Sequence, residues 1–120
     1  MPTKPYTLIT DLVKQADVPE NGILSRTLQN DDKSKVILFA FADGQELTAH
    51  TAPMPAVIYL LEGSAEVTLG EDVMNLEGGA LIHMTPNLPH GIRANGPVKM
   101  MLILLKDASP AAAAHQGPPA

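Results

Sequence analysis

Residues 79–91 read GALIHMTPNLPHG, and they are the most informative stretch of the chain for predicting its fold. Residues 80–85 are mostly apolar and suit a strand. Two prolines within the next four residues, Pro86-Asn87-Leu88-Pro89, force a sharp irregular turn. A second extended segment begins at His90. The stretch therefore predicts two strands joined by a tight turn, with a histidine at the start of the second strand.

Segments of the same kind surround this stretch on both sides. They lie at residues 23–30, 36–42, 47–52, 56–61, 65–69, 73–76, 80–85, 90–94 and 98–106. Turn sequences such as Gly70-Glu71-Asp72 and Asn95-Gly96-Pro97 separate them. Short strands at this spacing are typical of an all-β sandwich or a small barrel. Apolar runs without alternation, such as residues 36–42, predict strands that are covered on both faces.

Composition limits the classes of function. The chain has 120 residues, of which 45% are apolar and 18% charged, so one packed core is expected. Only 3% are aromatic and the net charge is −5, which argues against base-stacking modules and against binding to nucleic acid or anionic membranes. Methionine is expected to fill gaps in the core. The absence of cysteine excludes disulfides, thiolate nucleophiles and cysteine-ligated metals.

The two ends differ from the middle of the chain. Residues 1–22 form an N-terminal segment, in which apolar residues at 8, 9, 12 and 13 predict a short amphipathic helix over residues 8–15. Thr7 or Thr10 would cap this helix, although a strand also suits the segment. Residues 108–120, ASPAAAAHQGPPA, predict a flexible, disordered Ala/Pro tail. No secretory signal is recognised, so a cytoplasmic protein is expected.

Two motifs in the middle of the chain resemble those of the cupin superfamily. Gly44, His50 and Gly63 are spaced as in the first motif, G-x5-H-x-H-x3-E-x6-G. Residues 79–91 resemble the second motif, G-x5-P-x-G-x2-H-x3-N, and residues 59–63, YLLEG, look like the cupin segment YVLEG. The resemblance implies a double-stranded β-helix, or jelly-roll barrel, over residues 23–107. It also implies a homodimer, as in small single-domain cupins of the RmlC-like type.

The turn residues fit this resemblance for an independent reason. Gly44, Gly63 and Gly79 stand where one strand turns into the next, and glycine tolerates a positive φ freely. Asn87 replaces the glycine of the second motif, and asparagine is the next best residue for a left-handed conformation. We therefore expect the turn at Asn87 to be retained.

The chain departs from the family pattern at the metal site. In cupins, two histidines and a glutamate of the first motif and one histidine of the second hold a divalent metal. Here the second histidine is Ala52, the glutamate is Ala56 and the closing asparagine is Ala94. Only His50 and His90 remain, and two imidazoles do not complete a metal site.

A third donor would restore a site for zinc, nickel, iron or manganese. His83 is a weak candidate, because it lies on the strand just before His90. Glu46 shares strand parity with His50, so its carboxylate could also reach the barrel mouth, but a solvated strand end is the simpler interpretation. Arg93 could bind a carboxylate ligand, but an ordinary surface charge is the simpler interpretation.

The two replacements by alanine add apolar room beside the histidines, which suits a small organic ligand. The predicted pocket is lined by His50, Ala52, Ala56, Ile58, Leu60 and His90. On the same strand Val57, Tyr59 and Leu61 face the other way and predict an interface, consistent with a homodimer.

Three classes of function follow. The first is a small-molecule-binding cupin with a degenerate metal site, whose pocket is centred on His50 and His90. The alternative is a metal-dependent cupin enzyme of the dioxygenase or isomerase type that uses both histidines and a third donor. A metal-free enzyme would use one histidine as a general base. In the third class the chain is a structural or partner-binding protein, with the histidines inert in a closed core.

Overall fold

In the computed structural model, which describes residues 5–106, nearly all regular structure is β. The strands are β1 (Ile23–Asn30), β2 (Ser34–Phe41), β3 (Glu46–His50), β4 (Ala56–Leu69), β5 (Asp72–Glu77), β6 (Leu81–Met84) and β7 (His90–Leu105). The all-β prediction is confirmed. The predicted tail at residues 108–120 lies outside the described residues. No helix within residues 5–106 has the length and apolarity needed to cross a membrane.

Two long strands, β4 and β7, organise the architecture. The sequence predicts each of them as two shorter strands, at residues 56–61 and 65–69 and at 90–94 and 98–106, and this division is wrong. Gly63 and Gly96 have φ values of +94° and +89°, so each strand bends at a glycine and continues. The bend in β4 coincides with irregular pairing to β7 between Leu60 and Ser64.

These bends fold a continuous antiparallel sheet into two layers. The first half of β4 and the second half of β7 pair with each other, with Ile58 opposite Leu102, in the order β1-β2-β7-β4-β6. The other halves pair around Ala65 and Ala94, in the order β3-β7-β4-β5. One core joins the layers, and it includes Phe41, Ile58, Leu60, Ala65, Val67, Ile92, Ala94, Val98 and Met100. This is the double-stranded β-helix that the resemblance implies.

The N-terminal segment differs from the prediction. In place of a helix over residues 8–15 there is a 3-10 helix, Val13–Gln15, with Leu12 at its N-cap and no side-chain cap. The carbonyl oxygen of Val13 accepts a hydrogen bond from Nζ of the buried Lys99 at 2.6 Å. That of Gln15 accepts one from Arg26 Nη1 at 2.9 Å. These contacts outweigh the weak local helical preference of a segment rich in Thr, Ile and Val.

The segment covers part of the outer face of the barrel. Its Ala16 and Val18 pack with Leu38, Ala40 and Leu61 in a second, smaller apolar cluster. Because these residues lose contact with water, the outer side of β2 is buried like its inner side. This explains why residues 36–42 are apolar without alternation.

Strand alternation on β4 follows the prediction. Ala56, Ile58 and Leu60 are buried in the core, while Val57, Tyr59 and Leu61 face outward and are half-buried. Leu81 of β6 pairs with Tyr59 and is 70% exposed. This face is the one expected to form a homodimer, which stays a prediction.

The turn after β1 is held by one carboxylate. Asp31 Oδ1 accepts hydrogen bonds from the backbone N–H groups of Lys33 at 2.8 Å and Ser34 at 2.9 Å. These bonds favour the charged form and hold the pKa of Asp31 below its usual value. The group is fully exposed, so the turn is a solvated connection.

Candidate functional site

The structure brings two histidines together at one end of the barrel. His50 ends β3 and His90 begins β7, and they lie directly opposite each other in the sheet. Their ring centroids are 4.5 Å apart and the rings are inclined at 53°. His50 is exposed and His90 is half-buried, so the pair stands between the core and the solvent.

A β-bulge places His50 on this face. Leu47 pairs with Ile92 and His50 pairs with His90, so Thr48 and Ala49 together oppose a single residue of β7. Under simple alternation His50, three residues after Leu47, would point to the opposite face. The extra residue cancels this, and both side chains face the barrel interior.

The bulge overturns the prediction that Glu46 shares a face with His50, and Glu46 is the solvated strand end of the simpler interpretation. The sequence places Glu46 and Thr48 on the same face as His50. Instead Glu46 is exposed, pairs with Arg93 and lies on the opposite face from Leu47. Arg93 follows the buried Ile92 and is likewise exposed. Neither charged group is placed to meet a ligand beside His50.

Gly91 makes room for the bulge. A Cβ atom built on Gly91 would lie 3.0 Å from both the amide nitrogen of Ala49 and the carbonyl oxygen of Leu47. This is tighter than ordinary contact, and both neighbours are backbone atoms. The residue opposite the bulge is therefore glycine for a steric reason, which the motif spacing alone does not reveal.

Behind the histidines lies a cavity of about 240 Å³. It is lined by Phe39, Leu47, His50, Ile58, Val67, Leu69, His90, Gly91, Ile92, Met100 and Leu102. The two imidazoles are the only polar side chains of this lining.

The six predicted pocket residues lie in three places. His50, His90 and Ile58 line the cavity. Ala56 and Leu60 belong to the solid core on the same face of β4, and they do not line it. Ala52 lies beyond the end of β3, where its carbonyl oxygen accepts a hydrogen bond from the Asn87 amide at 2.7 Å.

Sequence reasoning missed most of the cavity wall. Phe39 comes from β2, Val67 and Leu69 from the far half of β4, and Met100 and Leu102 from β7. Val67 and Leu69 have the same parity as the buried Ala65, and this signal could have identified them. Which strands face one another depends on the bends at the glycines, so the other walls had no local signal.

Both histidines make the same local hydrogen bond. His50 Nδ1 lies 3.0 Å from the carbonyl oxygen of Thr48, and His90 Nδ1 lies 2.8 Å from that of Leu88. A carbonyl oxygen can only accept, so each Nδ1 carries a proton and donates it. In a neutral ring, Nε2 is then the nitrogen with the free lone pair.

The donor set does not fit the metal centre that the resemblance implies. Alanine occupies two of the four positions, and His83 does not replace them. His83 is exposed on β6 between the buried Ile82 and Met84, so alternation turns its ring to the outside. Within residues 5–106 no group of three or more His, Cys, Asp or Glu side chains could hold a metal ion. Two imidazoles fall short of the three or four ligands of a zinc site.

Comparisons with known proteins agree with the fold. The family model for the cupin domain matches residues 37–105. A conserved protein of unknown function from Streptococcus pyogenes is similar over 88% of this chain and 93% of its own, with 26% identity and a TM-score of 0.78. A cupin superfamily protein from Desulfitobacterium hafniense is similar over 77% of this chain and 84% of its own, with 27% identity and a TM-score of 0.73.

A third structure shares the fold at lower identity. It is an uncharacterised conserved protein with a double-stranded β-helix domain from Klebsiella pneumoniae, 19% identical, with a TM-score of 0.74 over 87% of this chain and 95% of its own. No curated protein matches the chain.

Proposed function

Because the chain belongs to the cupin domain family, we propose that it is a small-molecule-binding cupin whose ligand occupies the cavity behind His50 and His90. The observation that carries this proposal is the lining of the cavity. Apolar side chains from both layers form its walls, and the only polar side chains stand together at one place. An apolar cavity with a few convergent polar groups is the usual form of a small-molecule site.

The size of the cavity sets the size of the ligand. At about 240 Å³ it lies below the range of roughly 300–1,000 Å³ that holds drug-sized molecules. Because its walls are apolar, an apolar group that enters the cavity leaves water and is stabilised there. The ligand is therefore small and mainly apolar, with one polar end beside the imidazoles.

The proposal is tested by titrating the ¹⁵N-labelled protein with p-cresol, which has one apolar ring and one hydroxyl group. We expect saturable shifts of the amide signals of Val67, Ile92 and Leu102, with a Kd of about 1 mM or tighter. Signals of Ala16 and Leu28, in the apolar cluster at the N-terminal segment, serve as the control and should not move. Shifts confined to the outer face of the barrel would contradict the proposal. So would the absence of any shift up to the solubility limit of p-cresol.

A metal-dependent enzyme of the dioxygenase or isomerase type is the second candidate. It is favoured by one observation, the two adjacent imidazoles whose Nε2 atoms are free to bind. It lacks a third donor among the described residues. In such a site the metal would act as a Lewis acid or bind dioxygen.

Metal content separates the two candidates. Because two neutral ligands hold a divalent ion weakly, we expect far less than one atom of zinc, nickel, iron or manganese per chain in tag-free protein. Inductively coupled plasma mass spectrometry measures this, with His50→Ala and His90→Ala alongside. A stoichiometric metal that both variants lose would put the enzyme first.

A further inference from the structure

We propose that the pocket selects ligands whose polar end carries an O–H group, and that this group donates a hydrogen bond to Nε2 of His50 or His90. The inference rests on the proposed function, because it names the chemistry of the ligand in the same cavity. Alcohols, phenols and protonated carboxylic acids share this chemistry. Ethers, esters and ketones of the same shape do not.

Both pocket histidines donate their Nδ1–H to a backbone carbonyl oxygen. Each Nδ1–H is used by a backbone carbonyl oxygen, that of Thr48 for His50 and that of Leu88 for His90. A neutral imidazole has one donor and one acceptor, and here the donor is already engaged on both rings. The pair therefore offers a ligand two acceptors and no donor.

The rest of the cavity wall offers a ligand no polar side chain. Apart from the two histidines, the lining consists of Gly91 and apolar side chains. Within residues 5–106 no buried side-chain nitrogen or oxygen lacks a hydrogen-bond partner, so no further polar group waits for a ligand. A ligand with only an acceptor would find no side-chain donor in the wall and would gain no hydrogen bond from either imidazole.

The two imidazole rings lie close together at one end of the cavity. Their centroids are 4.5 Å apart, so a single hydroxyl at this end of the cavity is near both. The bulge at Thr48 and Ala49 fixes His50, and the turn before β7 fixes His90 through Leu88. Because both rings are held by backbone groups, little ordering is needed when the ligand binds.

Three matched probes test the inference: p-cresol, 4-methylanisole and p-xylene. They share a para-substituted ring, but only p-cresol has an O–H group. 4-Methylanisole keeps the oxygen as an acceptor, and p-xylene replaces the hydroxyl with a methyl group of similar size. We expect p-cresol to bind about five- to tenfold more tightly than either, as one net hydrogen bond allows. Isothermal titration calorimetry of the full chain, with all three probes in the same mildly alkaline buffer, measures the three constants.

Variants locate the acceptor. His50→Phe and His90→Phe keep a planar ring and remove the lone pair. We expect the ratio of the Kd of p-xylene to the Kd of p-cresol to fall towards one in at least one of them. His83→Phe, on the outer side of β6, is the matched control and should keep the full preference. Ring-nitrogen NMR of the free protein should show Nδ1 protonated and Nε2 unprotonated in both pocket histidines.

The outcomes separate this inference from the proposed function. If p-xylene binds as tightly as p-cresol, selection for O–H is overturned and the apolar pocket stands. If the preference survives in both pocket variants, the acceptor is not an imidazole and the inference is wrong. If none of the probes binds, the proposed function fails and the inference fails with it.

Discussion

Gly63→Ala is expected to lower the free energy of unfolding by about 2–5 kcal/mol, the largest effect on stability predicted for a single methyl group in this chain. Gly63 has a φ of +94°, which costs an alanine about 1–2 kcal/mol. Its Cβ would also collide with the carbonyl oxygen of Pro97 and lie 3.0 Å from Cγ2 of Val98. Pro97 contributes a backbone atom that cannot rotate away, so β7 must shift at the corner where the layers join.

Gly79→Ala is the matched control for this collision. Gly79 has a φ of +101°, but a Cβ built there meets nothing within 4 Å. It should therefore lose only the conformational part, about 1–2 kcal/mol. Urea unfolding followed by circular dichroism measures both variants. Equal losses would show that the approach of β7 to Gly63 is not a tight constraint.

Val67→Phe is expected to remove binding of p-cresol, with a loss of at least about a hundredfold in affinity, without destabilising the fold. Val67 is 1% exposed and lines the cavity, so a larger ring at this position occupies the ligand's volume. Filling an empty apolar void commonly raises stability by about 0.5–2 kcal/mol. A protein that becomes more stable and loses its ligand would show that the cavity is the binding site. Calorimetric titration and urea unfolding give the two readouts.

Thr68→Phe adds the same ring at the next position, on the opposite face of β4. Thr68 pairs with Val73, which is 61% exposed, so the new ring lies on the outside. Affinity for p-cresol should be unchanged in this variant. If Val67→Phe still binds p-cresol like the unmodified protein, the ligand occupies another place. A marked fall in the stability of Val67→Phe would show that the cavity is too small for the added ring.

Turns and single strands were predictable because their causes are local. β1 begins and ends at Ile23 and Asn30 as predicted. Asn87 has a φ of +67°, as its place in the turn predicts. Gly70 and Glu71 form the turn between β4 and β5. In each case residue types within the segment favour the observed conformation or permit it at low cost, so no distant contact is needed to predict it.

The candidate site was predictable only in part. The spacing of the motifs identifies His50 and His90, and strand parity identifies Ile58. Parity fails for Glu46, because a bulge adds one residue to β3 and reverses every face beyond it. Parity also fails to separate Ile58 from Ala56 and Leu60, which lie on the same face of β4. Only Ile58 lines the cavity, because the position of the opposite layer determines where the cavity lies.

Local residue patterns were enough to predict the all-β class and the turns, since these follow from residue types and their spacing. The resemblance of the two motifs to those of cupins implied the double-stranded β-helix and showed that two of the four metal-site donors are replaced by alanine. Three features could not be predicted from local patterns. β4 and β7 run unbroken through both layers, the bulge opposite Gly91 turns His50 towards His90, and the N-terminal segment is held by Lys99 and Arg26 instead of forming a longer helix. All three have the same cause. These features depend on contacts between residues far apart in the chain, whose energies exceed the local preferences that a sequence pattern records.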